Sequence, residues 1–493
     1  MKKKSLVFII SSILCMNLHA QDVPNAATFL PTHAQGDRST TYANDYSQYA
    51  WGKSVRETSR GSQAASDMAW ELDDYLSAYS KLIGVNITKN NTPYLYQVLE
   101  QLLKYGKMSV EVSQISNNYE RPYARFEEES LDPDHESEQA STSSYPSEQA
   151  TCGWLISMLL VEICPDMQDK IMKRGYEFGE SSVISGYNWY SDAQTGRFLA
   201  STIMIYIHTM GGFNQLIKMA RDEYNAKAGS RAGTRASSYL TYESLPNPVN
   251  YLPAPPTDES ALFVWDINQY NEGYNRRYGS RGTMAKEDCN SSMKYICQIF
   301  SDAFGRTISE SETPETYYLI SRVRELADQS CTVAKEHYNR KRPYVLFKEE
   351  TIYSDDEEEL SDNGSYPSGH ASYGWLIGLT LAEINSANLS QIMKRAYEYG
   401  QSRVIAGYHY QTDVDAGRLA AGAAFARLHI EEEFLEHLDA AIKEIKGSPS
   451  GIRSNTRTDD DASAPIYTLS GVRLDSEPTQ HGVYIQGNTK VVK

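Results

Sequence analysis

Three short clusters in the second half of the chain hold side chains able to grip and attack a tetrahedral oxyanion. Lys335 and Arg342-Pro343 come first. Pro367-Ser368-Gly369-His370 follows after residues 344–366, and Ser402-Arg403, His409 and Asp413 complete the set after residues 371–401. One Lys and two Arg supply lasting positive charge, and Arg offers a planar fork of donors that matches phosphate oxygens. Ser368 and Gly369 stand just ahead of the apolar run ASYGWLIGLTLAEI. That run predicts a helix whose first N–H groups face an anion, and glycine lets the backbone come close to it. The four-residue spacing of His409 and Asp413 predicts a shared helix face. A carboxylate there would hold one imidazole nitrogen and leave the other to attack, with His370 as proton donor to the leaving oxygen. Singly these residues mean little, since a lone histidine is usually structural and Lys-x6-Arg-Pro alone describes a surface helix. Their order and spacing carry the reading.

The elements that must position these clusters are written twice. "TSSYPSEQATCGWLIS" at 142 parallels "GSYPSGHASYGWLIG" at 364, and "IMKRGYEFGE" at 171 parallels "IMKRAYEYGQ" at 392. Thr92-Pro93, Arg121-Pro122 and Gly186-Tyr187 recur as Thr313-Pro314, Arg342-Pro343 and Gly407-Tyr408, always 221 residues later. A constant offset predicts two copies of one backbone. Apolar residues at three- and four-residue spacing predict helices within each copy, with a helix start near Pro314. The fold class expected is all-α: two tandem helical-bundle domains plus a short β-rich C-terminal segment. The boundaries read as a signal peptide at 1–20, a first domain at 21–224, a linker at 225–250, a second domain at 251–446, a linker at 447–464 and the β-rich segment at 465–493. The last rests on alternation in "APIYTLSGVRL" and "GVYIQGNTKVVK".

Composition narrows the class. The 493 residues carry a formal net charge of −17, which argues against a nucleic-acid partner. The N-terminus, MKKKSLVFIISSILCMNLHA, sets three lysines before an apolar run and a small residue, the pattern of a secretory signal peptide. This predicts a periplasmic or secreted protein. No later stretch has the length of uninterrupted apolar residues that a membrane span needs. Cys152, Cys164, Cys289, Cys297 and Cys331 are odd in number after cleavage and read as buried thiols, with no spacing that suggests a metal site. The acidic run Asp355-Asp356-Glu357-Glu358-Glu359 reads as a solvated loop.

Lys-x6-Arg-Pro, Pro-Ser-Gly-His and Ser-Arg-x5-His-x3-Asp together resemble the three-part signature of the phosphatidic-acid-phosphatase-type superfamily, which includes vanadium haloperoxidases. "GSYPSGH", "LPAPP", "AKEHYNRKRPY" and "SRVIAGYHYQTDVDAGR" further resemble the bacterial class A non-specific acid phosphatases. The likeness covers about residues 251–445 and, through the repeat, 29–224. It implies phosphomonoester hydrolysis through a phosphohistidine on His409, with Asp413 orienting it and His370 as the acid. Lys335, Arg342, Ser368, Gly369 and Arg403 would hold the phosphate. It implies no metal and no cofactor, small phosphomonoesters as substrates, and phosphotransfer to alcohols as a side reaction. The alternative is a haloperoxidase whose vanadate sits in the same cations.

The first copy departs at the chemistry. Lys335, Gly369, His370, Arg403 and His409 are replaced by Gln114, Glu148, Gln149, Ser182 and Asn188, while Arg121, Ser147 and Asp192 remain. One unit-charge pair at 4 Å is worth about 4 kcal/mol at an effective dielectric of about 20, so exchanging cations for Glu148 predicts loss of phosphate affinity. The expected role of this copy is a catalytically dead structural partner that pairs with the second within the chain. Binding of an uncharged ligand is the alternative, and association of whole chains is compatible with either.

Overall fold

The computed structural model describes residues 23–32, 39–229 and 244–447, and the strands β1 (Ile466–Thr468), β2 (Arg473–Leu474), β3 (Val483–Gln486) and β4 (Thr489–Val492). The expected signal peptide lies outside the described residues, as does most of each expected linker. The protein is all-α through both repeats. Seven principal helices, α1 (Thr40–Ser54), α2 (Leu72–Ile83), α3 (Pro93–Ile115), α4 (Glu148–Ile163), α5 (Gln168–Ser185), α6 (Tyr190–His208) and α7 (Gly211–Ala228), make up the first repeat. Their counterparts are α8 (Ala261–Asn275), α9 (Met293–Phe304), α10 (Pro314–Ser330), α11 (Gly369–Ile384), α12 (Leu389–Ala406), α13 (Gln411–Leu428) and α14 (Glu432–Gly447). Each of the second seven begins 221 residues after its partner. Helix α7 runs to Ala228, past the boundary at 224, because its Gly229 cap is the first residue to take a positive φ.

Local signals account for the helix starts. Ser147 and Ser368 cap α4 and α11, their hydroxyls accepting from Ala150 N and Ala371 N. Pro93 and Pro314 occupy the first turns of α3 and α10, where a missing N–H costs nothing. Helices α4 and α11 are buried on nearly every side, as their lack of a polar face requires. Helices α5 and α6 pack on α4, and α12 and α13 pack on α11.

By its internal contacts the chain divides into two compact units, Met1–Ile442 and Lys443–Lys493, so the first repeat and all of the second except the end of α14 lie within the first. Helix α6 meets α11 and α13, α4 meets α13, and α1 meets α8. Phe198 of α6 and Trp375 of α11 stand 5.8 Å apart, ring centre to ring centre. Gly422 of α13 passes so near α6 that a Cβ there would lie 2.7 Å from Ser201 Oγ. The second unit contains an antiparallel sheet in the order β2-β1-β3-β4. Among the described residues all five cysteines are buried, unbridged thiols.

The repeats differ at one break. Helix α3 is continuous, whereas its counterpart stops at Ser330 and resumes as the short helix Thr332–Tyr338. The resumed segment carries Lys335.

Candidate active site

Four elements converge on one socket in the second repeat. The short helix Thr332–Tyr338 brings Lys335, and the extended residue before the helix Pro343–Phe347 brings Arg342. The start of α11 brings Ser368, Gly369 and His370, and the end of α12 brings Arg403. Helix α12 ends on Gly407, whose φ of 91° suits glycine and turns the chain toward His409.

His409 is not on a helix with Asp413, contrary to the expectation from their spacing. Helix α13 begins at Gln411 with Tyr410 as its cap, so His409 stands in the turn ahead of it. The carboxylate of Asp413 reaches back instead, accepting from Tyr410 N at 2.9 Å and lying 3.4 Å from His409 Nδ1. That second approach is too poorly aligned to be a hydrogen bond, leaving Nδ1 without a partner. On the other side of the ring, Arg342 Nη1 lies 3.1 Å from His409 Nε2. A guanidinium can only donate, so Nε2 carries the lone pair and Nδ1 the proton. This is the tautomer a nucleophilic Nε2 needs. Burial, then Arg342, holds His409 well below the ordinary imidazole range, although Asp413 works the other way. The ring is neutral.

The cations are only partly satisfied. Arg342 donates from Nε to Leu360 O and Asn363 O, and from Nη1 to Tyr408 O and His409. Burial and the neighbouring Arg403 lower its pKa to about 10. Arg403 is 1% exposed and lies over the Tyr408 ring at 4.0 Å, yet its Nε and Nη1 have no hydrogen-bond partner. A buried guanidinium with unmet donors is costly, and an oxyanion is the group that meets them. Lys335 donates to Gly364 O at 2.9 Å, and burial followed by Arg342 lowers its pKa to about 8. His370 Nε2 is also buried without a partner. Its ring stacks on Tyr399 and tilts against Tyr373. Burial, Arg403 and His409 push its pKa well below the ordinary value.

Gly369 has a steric reason beyond a close anion. A Cβ there would stand 2.4 Å from Asp328 Oδ1 and 3.9 Å from Lys335 Cε. A cleft of about 830 Å³ has a lining that includes Cys289, Asn290, Tyr295, Arg324, Tyr353 and Asp356 but none of the socket's own side chains; Cys289 is the wall that adjoins Arg403 and His370. Of the acidic run, Asp356 reaches this lining, while Glu357 turns inward and accepts from Thr351 N and Oγ1 at 2.7 Å each.

The sequence reading missed the support beneath Asp413. Arg340 donates to Asp413 Oδ1 at 2.6 Å and Asp266 Oδ2 at 2.8 Å, and Asp266 accepts from Thr412 N and Oγ1. Burial opposes charge on Asp413, but Arg340 and His409 outweigh it and hold the carboxyl far below its usual range. The signal was present in "NRKRP", where Arg340 is masked by its basic neighbours.

The PAP2 superfamily profile matches residues 319–431. Over 208 residues the chain is 41% identical to a non-specific acid phosphatase of Providencia stuartii, spanning 42% of this chain and 84% of that protein. The chain belongs to the non-specific acid phosphatases of the PAP2 superfamily. A non-specific acid phosphatase of Salmonella typhimurium is 38% identical over 216 residues, 43% of this chain and 86% of its own. An acid phosphatase of Zymomonas mobilis is 31% identical over 221 residues, 45% of this chain and 82% of its own.

In the first repeat of this phosphatase the equivalent positions hold other side chains. Asn188 donates to Ser144 O at 2.7 Å and accepts from Ser147 Oγ at 3.0 Å. Arg121 spends its donors on Gln139, Tyr187, Thr142 and Ser143. Glu148 pairs with Lys107 at 3.7 Å, where the second repeat has Gly369 and Asp328. Burial raises the Glu148 pKa against the pull of Lys107 and Arg121. Gln149 lies 1% exposed, with Nε2 toward Ala69 O at 3.5 Å.

Proposed function

We propose that the second repeat hydrolyses phosphomonoesters through a phosphohistidine, with no metal or cofactor at the catalytic site. The carrying observation is the buried Arg403 with two unpartnered donors, set beside the Arg342–His409 contact. Lys335, Arg342, Arg403 and the backbone at Ser368 and Gly369 hold the phosphoryl oxygens. His409 Nε2 attacks phosphorus in line, the P–O ester bond breaks, and His370 gives its proton to the departing alkoxide. Water then attacks the phosphohistidine and passes a proton to His370 as the P–N bond breaks, releasing inorganic phosphate. Another alcohol in place of water would give phosphotransfer. The work is mostly positioning and charge stabilisation.

The lowered pKa of His370 refines the proton's origin. In the substrate-free site burial, then the guanidiniums of Arg403 and Arg342, keep that ring neutral. An entering phosphate neutralises them, and a phosphomonoester monoanion brings its own proton, whose pKa is about 6. Substrate and proton thus enter together, and this favours acidic pH.

The N-terminal pattern supports export to the periplasm or medium, and the cleft suits small substrates of varied leaving group. The first repeat serves as a structural partner, its pocket closed by its own hydrogen bonds. The test is a substrate panel from pH 4 to 9, with and without chelator, beside His409→Asn. Substantial activity in the variant, or a rate lost to chelator while the chain stays folded, refutes the reading.

A further inference from the structure

Where the repeats meet lies a group of titratable side chains that the phosphatase chemistry does not use. Glu162, near the end of α4, and Glu383, near the end of α11, are equivalent positions. So are His208, the last residue of α6, and His429, the residue after α13. None of the four is more than 6% exposed. His208 Nε2 lies 3.0 Å from Glu162 Oε1, His208 Nδ1 lies 3.6 Å from Glu383 Oε1, and His429 Nε2 lies 3.0 Å from Glu383 Oε2. The two imidazoles stack with ring centres 3.9 Å apart.

The geometry of this group suits a cation. His429 Nδ1 lies 2.8 Å from Phe425 O. A carbonyl can only accept, so Nδ1 carries a hydrogen, and in the neutral ring the Nε2 lone pair points toward Glu383 Oε2, 3.0 Å away. His208 Nδ1, buried, has no hydrogen-bond partner. A divalent cation with two carboxylates and two neutral imidazoles brings the charge to zero. It also uses the lone pair that the Phe425 carbonyl directs toward Glu383, as an outer hydrogen bond commonly orients a histidine ligand.

We propose that Glu162, His208, His429 and Glu383 form a buried site for a divalent cation of the zinc type, clamping the two repeats together. One ligand atom each from Glu162, His208 and His429 already lie within 4.8 Å of one another. Donors around a tetrahedral zinc with bonds of about 2.0–2.1 Å stand about 3.4 Å apart, so these three must draw closer, and Glu383, which faces the other ring nitrogen of His208 at 3.6 Å, must turn to join them. Two nitrogens and two carboxylate oxygens, in a dry pocket without water-rich acidic loops, suit zinc better than calcium or magnesium. None of the four residues hydrogen-bonds to the catalytic socket, so the ion would hold the seam and take no part in the reaction.

The test uses the full chain, stripped with a strong chelator, then given Zn²⁺ or Co²⁺ and passed through gel filtration. Metal is counted by elemental analysis for wild type, Glu162→Gln, His429→Asn and, as a catalytic-site control, His409→Asn. About one ion per chain should remain in wild type and His409→Asn, and be lost from the two seam variants. Zn²⁺ at about a hundred times its Kd should raise the wild-type Tm by about 3–5 °C, and bound Co²⁺ should show the visible absorption of a tetrahedral N/O site. Those wild-type readouts stand even if a seam variant fails to fold. No retained ion and no Tm shift in wild type overturns the proposal, as does equal retention by folded seam variants.

Discussion

The two pockets of this molecule share a backbone except at the break before Lys335 and differ in what their polar groups are left wanting. In the first repeat Asn188, Ser147, Arg121 and Glu148 have partners from the protein itself. In the second, Arg403 Nε and Nη1 and His370 Nε2 are buried with none. A pocket that satisfies itself is stable and inert, whereas one with unmet donors stores a demand that an anion fills. The lesson is that a catalytic site of this kind is recognised less by the charges present than by those left unpaid.

The sharpest way to break the comparison is to write the first pocket into the second. His409→Asn should lower phosphatase turnover by at least about 10³-fold and abolish the phosphoenzyme trapped by rapid quench at alkaline pH, where a phosphohistidine survives. Retention of more than a few per cent of activity would end the claim that one imidazole is the nucleophile. Arg403→Ser, copying Ser182, should cost about 10²–10³-fold in kcat/KM and weaken vanadate inhibition in parallel. An unchanged inhibition constant would remove Arg403 from the anion socket.

Arg340→Gln tests support beneath the site. It breaks a buried ion pair that holds two carboxylates, so unfolding free energy should fall by about 3–5 kcal/mol. If Arg340 positions His409 through Asp413, kcat should drop with little change in KM and recover partly in Arg340→Lys. Equal loss in both variants, or a change in KM alone, points to a structural role only.

A smaller effect follows from Lys335. Its pKa is lowered to about 8, so the free enzyme loses this cation as pH rises through about 8, and kcat/KM should fall on that limb. Lys335→Arg should move the fall to higher pH. An alkaline limb that stays in place assigns it to another group. The smallest change is expected from Asn188→His. One imidazole without Arg403, Lys335 and His370 has no anion to attack, so activity should stay within about twofold of wild type.

Much of this was legible in the chain itself. The constant offset between Thr92-Pro93 and Thr313-Pro314, and onward to Gly186-Tyr187 and Gly407-Tyr408, already implied matched helices, because equal spacing leaves no room for a different backbone. Ser368 announced the start of α11 because a hydroxyl just ahead of an apolar run satisfies the first N–H groups. The spacing of His409 and Asp413 misled, because four residues place two side chains together in a turn and cap as well as on a helix. Arg340 was hidden for a different reason: nothing local says that Arg340 turns inward beside Arg342 while Lys341 stays exposed.

The order of side chains along the strand of text thus determined which chemistry was available, two Arg, one Lys, two His and one Asp in compatible order, and that only one repeat retained it. Tertiary structure alone decided which of those groups go unpartnered, which tautomer His409 adopts against Arg342, and that two Glu and two His far apart in sequence meet at the seam. The reason is that hydrogen bonds are counted in space: whether a buried donor is satisfied depends on every element packed around it, and no short motif records that sum.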